Sequence, residues 1–191
     1  MEKLSSEQSE TSDRVLEFDL SAELRHGIAV SNLAYALSQE LGLPHEQCYD
    51  LAIAGMLHDI GKLKLRSYIN GQESNPMVIE ELKYVRMHST LGYEELKDQG
   101  YSDFVLESIL YHHENYDGSG YPSNLAGKEI PIGARILRVC DVFCALSQDR
   151  SYRKAFDKHT VMELMIDDIK NFDLEVFLAF QRVVHASQAG K

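Results

Sequence analysis

The residues best suited to chemistry are a histidine doublet, His112-His113, followed by Glu114 and a glycine-punctuated run, Asn115-Tyr116-Asp117-Gly118-Ser119-Gly120-Tyr121-Pro122. Further groups of the same chemical kind stand at His26, His58-Asp59, His88 and Asp141. Imidazoles and carboxylates together suit borderline transition metals such as iron, manganese, nickel or zinc. Neighbouring helical residues diverge by about 100°. His58 with Asp59, and His112 with His113, therefore serve two adjacent ions more easily than one. A carboxylate can bridge ions roughly 3.5–4 Å apart, the spacing used by two-metal phosphoesterases, and Asp59 is the candidate bridge. Lys62 follows about one helical turn later, where an ammonium can lie over the same site and meet a phosphate oxygen. His45, His159 and His185 have no such company and read as ordinary surface or core residues.

Those groups must be carried by elements that converge. Leu24, Ile28, Leu33, Leu37 and Leu41 recur at helical spacing after a Ser21 cap, which places His26 in the first turns of a helix ending at Gly42 and Pro44. A second helix from about His45 delivers His58-Asp59 near its end, and Gly61 marks its exit. Asn75-Pro76 is a helix start leading to His88, and a short helix follows from Leu91 to Leu96. Ser102 caps a helix that runs into His112-His113. After Pro131, a helix through Ile136, Leu137, Cys140 and Phe143 carries Asp141, and two amphipathic segments, about 159–170 and 174–184, finish the chain. No alternating strand pattern is present, so the class is all-α: a helical bundle with a di-metal centre between its helices. Residues 1–20 read as an acidic flexible tail, 21–184 as one domain and 185–191 as a C-terminal tail.

Composition narrows the rest. The chain has 191 residues, 44% hydrophobic and 26% charged, as expected of a globular domain. No apolar run approaches the roughly 20 residues of a membrane span, so neither membrane insertion nor a leader is expected, and the cytoplasm is the expected location. Three cysteines without a CxxC pair indicate neither a disulfide framework nor a zinc ribbon. A net charge of −11 argues against duplex nucleic acid as a partner. Charge is segregated, however. Residues 1–23 hold seven acidic and two basic side chains, whereas residues 135–158 hold six basic and three acidic ones.

His58-Asp59-Ile60-Gly61-Lys62 resembles the HDxGK signature of the HD superfamily, and His112-His113-Glu114 with Asp117-Gly118-Ser119-Gly120-Tyr121-Pro122 is similar to the second signature of the HD-GYP family. Ile130-Pro131, Ala134-Arg135-Ile136-Leu137, Asp141-Val142-Phe143 and Arg150-Ser151-Tyr152-Arg153-Lys154-Ala155 extend the likeness across about residues 21–180. The resemblance implies an HD domain whose di-metal centre hydrolyses cyclic di-GMP to linear pGpG, in some members onward to GMP. It implies His26, His58, Asp59, His88, His112, His113 and Asp141 as ligands, iron or manganese as the favoured metals with nickel or zinc as alternatives, and Asp59 and Lys62 as catalytic groups. Lys62, Arg150 and Arg153 are implied as contacts to the phosphates or guanines, and Tyr121 or Tyr116 could stack on a base. Hydrolysing a phosphodiester requires water that ionises near neutral pH, which paired cations supply. In some members a glutamate four residues before the first histidine holds a third metal. Here that place is Ala22, with Glu23 one later, so two metals are expected. Cys144 stands where the family has aspartate and Ser151 where it has proline, and the later Gly-rich element is shortened to Asn171-Phe172-Asp173-Leu174. No receiver, sensor or GGDEF region is seen. Two rival readings retain the same residues: a cyclic-dinucleotide receptor or interaction module that meets a protein at Gly120-Tyr121-Pro122, and a hydrolase of another phosphoester.

Overall fold

A computed structural model describes residues 20–64, 86–149 and 153–189, with side chains placed up to residue 186. The helix expected from Asn75-Pro76 and the side chain of Arg150 lie outside the described residues. Seven α-helices follow one another: α1 (Leu20–Glu40), α2 (His45–Leu57), α3 (His88–Leu96), α4 (Asp103–Tyr111), α5 (Ile132–Leu146), α6 (Lys158–Asp167) and α7 (Leu174–Ala189). Single 3-10 turns occupy Gly127–Glu129 and Ile169–Asn171. Among the described residues there is no strand beyond one isolated bridge residue at Arg153, as the all-α reading requires. No described helix is long and apolar enough to cross a membrane.

Helical spacing of the apolar residues dictates the packing. Val30, Ala34 and Leu37 on α1, Leu51 and Ala54 on α2, and Val105 and Ile109 on α4 meet Ile136, Leu137 and Cys140 on α5 in one continuous core. Val176, Phe177 and Phe180 close it from α7, with Phe143 edge-on to Phe180 at 5.0 Å. Complete burial of a Leu, Ile or Phe stabilises by about 1.5–3 kcal/mol, so this core holds its helices firmly. The central helix α5 packs on α1, α2, α4, α6 and α7, which brings Asp141, in its middle, among the ends of the others.

Sequence signals for the helix ends hold in part. Ser102 Oγ accepts from Val105 N at 3.3 Å and starts α4. His58 and His112 are the C-terminal caps of α2 and α4. His88, expected at the end of a helix, is instead the first residue of α3. Gly61 explains how it is held there: a Cβ at Gly61 would collide with the His88 carbonyl oxygen, so only glycine lets the turn after α2 press against the start of α3. Asp173, from the shortened element, has become the cap of α7. Its Oδ1 accepts from Glu175 N at 2.9 Å while Oδ2 accepts from Arg135 Nη1 at 2.6 Å.

Candidate metal centre

The elements bring the seven expected ligand residues into one cluster that divides into two halves. His26, His58, Asp59 and Asp141 form the first. His26 Nε2 lies 2.9 Å from Asp141 Oδ1, and His58 Nε2 lies 3.2 Å from Asp59 Oδ2 and 3.7 Å from Asp141 Oδ1. His88, His112 and His113 form the second, with His88 Nε2 at 3.3 Å from His112 Nε2 and 3.0 Å from His113 Nε2. Asp59 joins them. Its Oδ2 faces the first half, and its Oδ1 lies 3.3 Å from His88 Nε2 in the second. The bridging geometry inferred from the doublets is thus present in a single side chain.

This donor set fits divalent cations. His58 Nδ1 donates to Gly55 O at 2.8 Å and His112 Nδ1 donates to Ile109 O at 2.6 Å, which leaves each Nε2 as the ligand atom facing the cluster. His26, His58, His88 and His112 are all at most 2% exposed, and His58 Nε2 faces the carboxylates of Asp59 and Asp141. Buried carboxylates and imidazoles aimed at shared space are costly to leave uncompensated, and a cation relieves that cost. Three imidazoles packed around shared space, two of them less than 3.5 Å from a third nitrogen, are stable together only when neutral or metal-bound.

Electrostatics follow the division. Burial works against a charged His58, yet the Asp59 charge and hydrogen bonds to Asp141 and Asp59 carry it up to about 10. Burial and the neighbouring imidazoles push His112 well below the usual range, and burial with the His88 charge takes His113 down to about 3. Burial alone would raise Asp59 and Asp141, but the His58 and Lys62 charges hold Asp59 well down, and hydrogen bonds from His26 and His58 do the same for Asp141.

Lys62 Nζ donates to Asp59 Oδ2 at 2.5 Å and to Glu23 Oε2 at 3.3 Å. Glu23 therefore pairs with Lys62 beside the first half of the cluster. Desolvation opposes its charge, but Asp59 and Glu23 raise the Lys62 pKa, so it stays an ammonium.

The glycine run folds onto this centre. A Cβ on Gly120 would overlap the backbone of Glu114 and Asn115, so the loop doubles back tightly behind the histidine doublet. Glu114 Oε1 accepts from Ser123 N at 2.6 Å, and Tyr121 N donates to His113 O at 3.2 Å. The Tyr121 ring stacks on His113 at 4.8 Å and 26°, with the Arg86 guanidinium 5.4 Å from its centroid. Tyr121 thus packs against a histidine of the cluster and holds its ring in place. Tyr116 is tied by its backbone, its N to Asn171 O at 3.0 Å and its O from Gly127 N at 2.9 Å.

Two cations beside the site escaped the sequence reading. Arg138 lies one turn before Asp141 on α5, its Nε donates to Asn115 Oδ1 at 3.0 Å, and its charge is felt by both His113 and Tyr121. Arg86 lies over Tyr121. The i, i+3 spacing of Arg138 and Asp141 was the available signal. Arg153, by contrast, donates to Ala145 O at 2.8 Å, Leu146 O at 3.2 Å and Lys154 O at 2.8 Å, and lies 4.5 Å over the Phe156 ring. No described contact links it to the ligand cluster.

A helical domain with two histidine–carboxylate half-sites sharing one aspartate is the frame of a metallohydrolase. Comparison with known proteins agrees: the HD domain model matches residues 5–176, and the chain belongs to the HD domain family. It is 36% identical over 160 residues to a cyclic di-GMP phosphodiesterase of Pseudomonas aeruginosa, covering 83% of this chain and 38% of that protein. It is also 36% identical over 157 residues to a 3'3'-cGAMP-specific phosphodiesterase of Vibrio cholerae, covering 80% of this chain and 36% of the relative. The chain thus spans little more than a third of the length of these curated relatives. Among solved structures it resembles an HDGYP protein from Bdellovibrio bacteriovorus with a TM-score of 0.68 at 24% identity, over 85% of this chain and 52% of that one.

Proposed function

We propose that this chain is a phosphodiesterase domain that uses two divalent cations, iron or manganese in first place, to hydrolyse cyclic di-GMP to linear pGpG in the bacterial cytoplasm. The observation that carries this reading is Asp59, whose two oxygens face two separate histidine half-sites. The names of the relatives support the substrate class. When bound, such a cation pair polarises a phosphoryl oxygen and makes water a nucleophile near neutral pH. His26, His58, Asp59 and Asp141 would hold one ion, and Asp59, His88, His112 and His113 the other.

The chain's own residues then bind and orient. Lys62, fixed as a cation by Asp59 and Glu23, meets a phosphate oxygen by charge and does not serve as a proton donor. Arg138 and Arg86 frame the face of the second half-site, where they offset the bulk negative charge that would repel a dianionic dinucleotide. Burial holds the Tyr121 hydroxyl protonated at working pH, so it acts as a hydrogen-bond donor and not as a base. In the overall step the water oxygen bonds to phosphorus, the bond to the 3′ oxygen breaks, and that oxygen acquires a proton. Because Tyr121 turns inward onto His113, Gly120-Tyr121-Pro122 serves as a wall of the site more readily than as a docking surface for a protein. Contact of Arg153 with substrate would require it to give up three carbonyl partners, so we assign it to the end of α5.

A second substrate deserves the same assay, because a relative of equal identity is named for 3'3'-cGAMP. The test is anaerobic purification, metal analysis, and incubation with each dinucleotide followed by product chromatography. Linear pGpG from the metal-loaded protein and none after chelation is the expected result. Tight binding of the dinucleotide without turnover would make the domain a receptor instead.

A further inference from the structure

The His58 and His112 imidazoles sit at helix ends, where a backbone carbonyl three residues back is free to accept from Nδ1. His26 lies inside α1, where backbone carbonyls are engaged in the helix, so its Nδ1 needs an acceptor from elsewhere. The group in reach is Gln148, two residues beyond the end of α5, whose Oε1 lies 3.3 Å from His26 Nδ1. We propose that Gln148 is the positioning residue of the half-site formed by His26, His58, Asp59 and Asp141. By accepting from Nδ1 it leaves His26 Nε2 as the ligand atom, aimed at the point where Asp141 Oδ1 lies 2.9 Å away.

Two further features support this role. Arg153 donates to Ala145 O and Leu146 O, and so anchors the last turn of the helix from which Gln148 projects. Gln148 also lines a cavity of about 440 Å³ together with Asn32, Ser147 and Lys158. Beside that open space, the contact that holds the amide toward the centre is the one to His26 Nδ1. Of the Nδ1 acceptors described for His26, His58 and His112, this one is a side chain, so the first half of the centre can be tuned by a single substitution. Outer acceptors of this kind typically change metal affinity by about 10–100-fold.

The inference rests on the reading of the cluster as a metal centre, and its test uses no dinucleotide. The full chain, stripped by a chelator, is titrated with Mn²⁺ by calorimetry as wild type, Gln148→Leu and Gln148→Glu. Wild type should take up two ions. Gln148→Leu should weaken one binding event by about 10–100-fold and leave the other within about twofold, and Gln148→Glu, which keeps an acceptor, should restore the weakened event. Nitrogen-15 histidine spectra of the same proteins add a readout that packing alone would not move, since loss of the acceptor should shift the His26 tautomer. If Gln148→Leu does not fold, Gln148→Ser, too short to reach, takes its place. Unchanged binding in the leucine variant, equal weakening of both events, or tighter binding would overturn the role of Gln148 alone. Wild type that takes up no ion would overturn the metal reading and this inference with it.

Discussion

Asp59 is the side chain on which both halves of the centre depend, and its loss should differ in kind from the loss of any histidine. Asp59→Ala should remove both ions, whereas His58→Ala should empty mainly the carboxylate-rich half. Metal counted per chain by mass spectrometry distinguishes the two outcomes, and dinucleotide turnover should vanish in both. Tyr121 makes a second distinction: Tyr121→Phe retains the ring on His113 and should keep both ions, while Tyr121→Ala should weaken the His88, His112 and His113 half by about tenfold. At this scale the clustering residues were legible because doublets of imidazole and carboxylate are rare in combination. Arg138, Arg86 and Gln148 were not, since an arginine or glutamine on a helix is common and only packing gives these three a partner.

At the scale of elements, the helices were readable from apolar spacing and from Ser102, but the start of α3 was not. The pattern Ile79, Leu82 and Val85 suggested a helix running to His88, whereas His88 opens the next one because Gly61 lies against its carbonyl. Gly61→Ala should therefore cost about 2 kcal/mol or more in urea unfolding and loosen the second half-site, as shown by metal content. The start of α7 depends on Asp173, which both caps it and pairs with the nearly buried Arg135. Asp173→Ala strands that guanidinium and should destabilise by about 3 kcal/mol, read from the same unfolding curves. Arg153→Ala removes carbonyl partners at the end of α5, so it should lower the melting temperature and leave the KM for the dinucleotide unchanged.

For the whole molecule, pH enters through opposing groups. His58, raised from 6.5 to about 10, stabilises the metal-free fold fully below pH 6.5, and that contribution is lost as pH rises through about 10. His113, lowered from 6.5 to about 3, has the opposite sign: its contribution is present above pH 6.5 and is lost as pH falls toward about 3. Metal-free protein should therefore lose stability toward both acid and strong base, as measured by chemical unfolding across the pH range. Metal uptake must displace the His58 proton, so affinity should climb by about tenfold per pH unit until about pH 10, as read by chelator competition.

The contact between Gly61 and His88 also bears on how this domain can vary through evolution. The chain leaves the centre after residue 64 and is back beside it by residue 86, with Lys64 paired to Glu95 near the same junction. Both ends of the intervening stretch are thus clamped by packing that belongs to the centre itself. Change beyond these two anchors is therefore compatible with an unchanged cluster, whereas change at Gly61 is not, because any side chain there meets the His88 carbonyl.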